Sequence, residues 1–238
     1  LGNVLRLPYV IGEQGGGAFL LVYVTVLALV VGPVLIAELT MGSIGRSSPM
    51  GSIQWVASLA GRDARWRWIG ALQAALAFMI ATLLLVPLVL GAEANLYLYN
   101  GDWDSASASE IVNTLSAIES ADHLRVLGVL IALVIVAALP GPQVVLLLAG
   151  WILMPLILLM TYSALGFAFE VGDISAANEW IFKYRPEQLT QSGAVTAALA
   201  ALSSLGVGVG VGLVFGSRSP AGLPLVRSVI AVGILDTA

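Results

Sequence analysis

The sequence predicts an all-α integral membrane protein, and three observations carry that prediction. Of its 238 residues, 59% are hydrophobic and only 10% charged, against roughly 25% charged in a soluble domain. The mean hydropathy is +0.98. Several uninterrupted apolar stretches exceed the roughly 18 residues that suggest a bilayer span. A transmembrane β-barrel would show short alternating segments instead. This composition excludes a soluble enzyme, a disordered chain and a secreted disulfide scaffold. Cysteine is absent and histidine occurs once, at His123, so neither a thiolate nor a histidine cluster can hold a transition metal. The net charge is −4 with no basic run, which argues against a nucleic-acid partner. No paired acid and base or activated nucleophile points to catalysis.

The spans follow in order. Leu1–Gly12 is apolar but too short to cross, and Pro8 bends or starts it. Gly15-Gly16-Gly17 makes a turn, and a first full span covers residues 18–41, with a kink expected at Gly32-Pro33. After the polar Gly42–Arg67 stretch, in which Ile53–Leu59 reads as a short amphipathic surface helix, a second span covers residues 68–92, interrupted by Pro87. Asn100–Asp122 is acidic and rich in serine. Asp122 is placed to cap a third span over 123–139, which Pro140-Gly141-Pro142 stops sharply. A fourth span covers 144–169. The polar Glu170–Ser192 connection follows, where Pro186 opens a short helix. A fifth covers 194–216 and contains alternating glycines from Gly206 to Gly212. A sixth begins near Val226 and runs to the last residue. The chain opens without methionine and stops inside this apolar segment, so we read it as a piece of a longer protein.

Loop charge orients these spans. Gly42–Arg67 carries Arg46, Arg62, Arg65 and Arg67 against Asp63. Asn100–Asp122 carries Asp102, Asp104, Glu110, Glu119 and Asp122 without a basic residue. The first connection is therefore cytoplasmic and the second external. The remaining connections alternate consistently, with Arg218 and Arg227 inside. Trp66, Trp68, Trp103, Trp180, Tyr97 and Tyr99 fall near span ends, as interfacial anchors do.

Two features point to mechanism. Glycine costs roughly 1 kcal/mol in a helix interior, and irregular backbone at membrane depth is tolerated only where it is packed in protein or lines a cavity. Gly206–Gly212 is thus either a close helix contact through small residues or an unwound segment that offers backbone groups to a ligand. The second feature is sparse polarity. Asp236 lies about ten residues into its span, and an ionisable residue at such depth is by default a functional hypothesis. With Asn3, Ser203 and Ser204 it supplies hard oxygen donors, suited to sodium or a proton. Either serine can instead bond back to its own helix.

Gly2-Asn3-Val4-Leu5-Arg6-Leu7-Pro8-Tyr9, followed by Gly15-Gly16-Gly17-Ala18-Phe19-Leu20, resembles the first helix and turn of the neurotransmitter:sodium symporters. Pro33, Glu38 and Met41-Gly42 resemble the end of that family's second helix. Trp180–Gln188 is similar to its third outer loop, Gly208-Val209-Gly210 through Phe215-Gly216-Ser217 to its sixth helix, and Leu235-Asp236-Thr237 to the start of its seventh. The resemblance implies a partial LeuT-type fold of inverted repeats with broken helices. Residues 1–12 would be the outer half of helix one, 18–41, 68–92, 123–139 and 144–169 helices two to five, 194–216 the discontinuous helix six, and 226–238 the start of helix seven.

It further implies a multi-pass plasma-membrane symporter that couples sodium to a small amino-acid-like or other organic solute. Carried over residue by residue, sodium would meet Asn3, Ser204 and Asp236. The backbone amides of Leu1 and Gly2 would hold the solute carboxylate, as half-helix N-termini favour anions. Ile80, Leu84, Ser203, Ser204, Gly206 and Val209 would complete the solute site, and Arg6 would be the outer gate. The family usually has asparagine where Asp236 stands; the aspartate brings a fixed negative charge, so chloride is not expected to be required. Leu84 replaces a tyrosine, Ala200 a glutamine, Ser203 an aromatic lid, Gly206 a serine and Phe215 a tyrosine. The resulting lining, Ile80, Leu84 and Val209, suits an apolar side chain on the solute. The same departures leave open a non-transporting relative, acting as a sensor or accessory subunit. The oligomeric state is not legible.

Overall fold

The computed structural model describes residues 6–101, 107, 109–110, 113, 120–140, 144, 147–220 and 222–237. Its ordered elements are helices; among the described residues no strand forms, and the only β-type pairing is one isolated antiparallel bridge between Gly16 and Tyr184. Among the described residues, three helices are long and apolar enough to cross a membrane: Gly17–Gly45 (29 residues), Ala64–Tyr97 (34 residues) and Gly150–Val171 (22 residues). The chain is an all-α, multi-pass membrane protein. Its described residues divide into two compact units, Leu1–Phe78 with Asp173–Ala238, and Met79–Gly172.

In the first unit, α1 (Leu7–Glu13) begins with Pro8 in its first turn, where the missing N–H costs nothing. A turn through Gly15 and Gly16 leads into α2 (Gly17–Val26) and α3 (Gly32–Gly45), which form one continuous rod. The irregularity in this rod lies before Gly32-Pro33. Leu27–Val31 is a π-turn in which the Gly32 amide reaches back five residues to the Leu27 carbonyl. Pro33 explains it: the ring has no N–H and crowds the carbonyl four residues earlier, and a π-turn relieves both. The same arrangement recurs in the second unit, where the π-turn Ala149–Leu153 stands two residues before Pro155.

The connection after α3 holds α4 (Pro49–Leu59), started by Ser48, whose hydroxyl accepts from the Gly51 amide at 3.3 Å. This helix begins four residues before the amphipathic stretch read from sequence. A single turn, Ala64–Trp66, then leads into α5 (Arg67–Asn100). Pro87 lies inside α5 without ending it, contrary to the expected interruption. Membrane helices absorb such prolines because neighbouring groups satisfy the freed carbonyl. The rest of the second unit comprises α6 (Ser120–Ala138) and α7 (Met154–Val171). Most of the acidic stretch from Asp102 to Glu119, the side chains of Asp122 and His123, and the Gly141-Pro142 stop lie outside the described residues.

The polar connection after α7 is more structured than its polarity suggests. It folds into α8 (Ile174–Phe182), capped by the Asp173 carboxylate on the Ala176 amide at 3.0 Å, and a single turn, Pro186–Gln188. It is pinned to the turn between α1 and α2. The Gly17 amide donates to the Lys183 carbonyl at 3.1 Å and the Arg185 amide to the Gly15 carbonyl at 3.2 Å. Gly12 lies under the indole of Trp180, so close that a Cβ there would sit 2.6 Å from Cε2.

The unit closes with α9 (Gln191–Ser204), α10 (Val211–Arg218) and α11 (Leu225–Thr237). Ala197 and Ala201, four apart on α9, pack against Phe19, Tyr23, Leu27 and Val31 in one buried cluster. Small residues on one helix admit large ones from the other, so Phe19 and Tyr23 are fully buried. Along the α3–α10 seam the backbones themselves touch. A Cβ on Gly42 would overlap the Leu213 carbonyl, and one on Gly216 the Leu39 carbonyl.

Candidate functional site

The site grows from the break between α9 and α10. Residues 205–210 form turns, and Gly206, Gly208 and Gly210 have φ of +61°, +86° and +77°. A residue with a Cβ would cost roughly 1–2 kcal/mol at each such position, so the alternating glycines are what permit the unwinding. Of the two sequence readings, unwound segment or close contact, the structure shows both. The left-handed run is the break, and Gly212 with Gly216 is the contact that follows it.

The break is held at its back by a buried polar pair. Glu38, on α3, is 3% exposed, and Gln73, on α5, is 9% exposed. Glu38 Oε1 accepts from Gln73 Nε2 at 3.0 Å and from the Gly208 amide at 3.1 Å. A Cβ on Gly212 would lie 2.7 Å from Glu38 Oε2, so the carboxyl also faces the first turn of α10. That is where a helix favours negative charge.

At the front, three oxygen groups from three helices converge. Ser204, the last residue of α9, donates its hydroxyl to Asp236 Oδ2, and Tyr23 of α2 donates its phenol to the same oxygen at 3.1 Å. Hydroxyl, phenol and carboxylate make a set of hard oxygen donors that fits a sodium ion and fits no soft metal. Ser203, one residue earlier, turns the other way and bonds back to the Ala200 carbonyl at 3.0 Å.

Arg6, Leu7, Val10, Thr196, Leu199, Ala200 and Ser203 line a cavity of about 560 Å³. Arg6 thus lines the same cavity as Ala200, the position where the expected glutamine is replaced. Gly206 and Val209 lie in the broken segment, while Ile80 and Leu84 belong to the second unit, where both are exposed on α5. Leu1, Gly2 and Asn3 lie outside the described residues. Sequence reasoning missed Tyr23 and Gln73 and gave Glu38 no role. A polar side chain in an apolar span was the available signal for each.

Residues 1–101 match the family described as the Sodium:neurotransmitter symporter family. The match spans 101 of the chain's 238 residues. A curated relative, the sodium- and chloride-dependent glycine transporter 2 of Xenopus laevis, is 39% identical over 61 residues. That alignment spans 26% of this chain and 8% of the relative. The symporter match covers α1 to α5 and therefore Arg6, Tyr23, Glu38 and Gln73. The α9 break and Asp236 lie beyond it and rest on the geometry above. Members of the symporter family are transporters rather than enzymes.

Proposed function

We propose that this chain forms part of a sodium-coupled symporter for a small, amino-acid-like or other organic solute with an apolar substituent. Access to its site would alternate across the bilayer. The observation that carries the reading is the convergence of Ser204 and Asp236, from helices separated in sequence, at the end of a broken helix. Sodium would be carried there by these two groups with Asn3. The solute would lie along the unwound 205–210 segment, with Leu1, Gly2, Ile80, Leu84, Ser203, Gly206 and Val209, beneath Arg6 as outer gate. A cation and a solute that share one site stabilise each other, and the coupling is reciprocal.

Chloride is not required in this proposal. The name of the Xenopus relative states chloride dependence for that protein. Here the Asp236 carboxylate supplies the negative charge beside the cation, and the Tyr23 phenol and Ser204 hydroxyl steady it. Span assignments follow the symporter scheme: residues 1–12 as the outer half of helix one, 194–216 as helix six and 226–238 as the start of helix seven.

The test is solute binding and uptake by the full-length protein in proteoliposomes, screened across amino acids with and without sodium. Sodium-dependent binding that Asp236→Ala abolishes is the expected result. Asp236→Asn should turn chloride from inert to stimulatory. Sodium-independent uptake indifferent to Asp236→Ala would refute the proposal. A second reading, a sensor or accessory subunit, draws on Ser203 turning its hydroxyl away to Ala200; absence of sodium-dependent binding across the whole screen would favour it.

A further inference from the structure

Gln73 is a carboxamide in an apolar span, and neither the symporter motifs nor the sodium donors employ it. Leucine would be cheaper at such a position unless the amide had work that apolar atoms cannot do. Its surroundings identify that work. Nε2 donates to Glu38 Oε1, and the same oxygen accepts the Gly208 amide from the middle of the left-handed run. A Cβ on Gly210 would lie 3.4 Å from the Gln73 Cβ, so the side chain also lies against the end of that run. Glu38 Oε2 and Gln73 Oε1 are both buried without a hydrogen-bond partner. The hydrogen bonds from Gln73 and from the Gly208 amide both fall on Oε1, and among the described residues Gln73 is the only side chain that donates to it.

We propose that Gln73 is a positioning residue for the broken helix: it fixes the Glu38 carboxyl, which in turn holds the Gly208 amide and faces the start of α10. The inference deepens the symporter reading, since the segment so held is the one offered to the solute. Without the Gln73 donor, the carboxyl is free to rotate about its own side chain. The Gly208 amide then exchanges one fixed acceptor for a mobile one, and the segment opens more often. A hydrogen bond to a charged group changes an equilibrium by about tenfold or more.

The test uses the full-length protein in nanodiscs with Gln73→Met, which keeps the volume and removes the donor. A reciprocal exchange, Glu38→Gln with Gln73→Glu, keeps an N–H to carboxylate bond with the partners swapped. Amide hydrogen exchange over 205–212 and sodium-dependent solute affinity are read together. Gln73→Met should speed exchange over 205–212 by about tenfold or more, leave α2 unchanged and weaken solute affinity by a similar factor. The reciprocal exchange should bring both back to within about threefold of the parent. Parental exchange in Gln73→Met would overturn the inference, as would a rise spread evenly over the whole chain or a reciprocal exchange no better than Gln73→Met. If the parent binds no solute, the symporter reading fails, and local amide exchange still decides the role of Gln73.

Discussion

Replacing Gly42 by alanine tests the backbone contact that joins α3 to α10. The added Cβ would overlap the Leu213 carbonyl oxygen and sit 2.9 Å from both Leu213 C and Ser217 N. Non-bonded heavy atoms prefer about 3.5–4.0 Å, so the two helices must part by about 1 Å. Overpacking of this kind costs about 1–3 kcal/mol. The displacement also stretches the Gly208 amide to Glu38 bond, at 3.1 Å in the parent, for about 1 kcal/mol more. Alanine returns about 1 kcal/mol of helix propensity, which cancels that last term. The net expectation is a loss of about 1–3 kcal/mol. Gly128→Ala is the matched control, because nothing lies within 4 Å of the Cβ position at Gly128. It gains the propensity without the clash and should be stabilising by up to about 1 kcal/mol. Thermal unfolding of the full-length protein in detergent reads both. At roughly 2–4 °C per kcal/mol, Gly42→Ala should lower the midpoint by about 2–12 °C while Gly128→Ala leaves it level or raises it. Midpoints within a degree of each other would refute the reasoning.

Three further outcomes are expected. Tyr23→Phe keeps the fully buried ring and removes the phenol from Asp236; stability without sodium should fall by about 1.5–3 kcal/mol, with the deficit widening as sodium is titrated in a thermal-shift assay, because the variant has lost one oxygen donor and gains less from the ion. Arg46 ends α3 with φ of +48° and its Nη1 donates to the Ser219 carbonyl at 2.7 Å. Arg46→Ala should therefore destabilise by about 1–2 kcal/mol, and Arg46→Gly by less, because glycine takes the left-handed conformation without strain. Glu179, in the polar connection after α7, is held below the usual carboxylate range by its hydrogen bond and charge pairing with Lys183. A depressed carboxyl contributes above its unfolded pKa and loses that contribution as pH falls through its folded value. Lys183→Met should thus move the Glu179 midpoint upward in an NMR titration, and an unmoved midpoint would show the pair to be inert.

What the sequence made legible divides along physical lines. The three apolar helices of span length were readable because burial in lipid acts on whole segments, and hydropathy averages over a segment. The helix break was readable because left-handed backbone is nearly a glycine property, and Gly206, Gly208 and Gly210 alternate to supply it. The kink was displaced: Pro33 pointed to Gly32-Pro33, but the missing amide acts on a carbonyl four residues earlier, so the π-turn lies at Leu27–Val31. Ser203 and Ser204 were indistinguishable as letters. Successive helical residues point about 100° apart, and only that angle sends one hydroxyl to Asp236 and the other back to Ala200. Tyr23 and Gln73 went unnoticed for a related reason. Each acquires its role from a partner far along the chain: Tyr23 meets Asp236 213 positions away, and Gln73 meets Glu38 35 positions away. A polar side chain in an apolar span announces that it has a partner, because hydrocarbon leaves it no alternative. The identity of that partner is a property of helix packing. The chemistry of this site was therefore visible one residue at a time, and its connectivity became visible only in three dimensions.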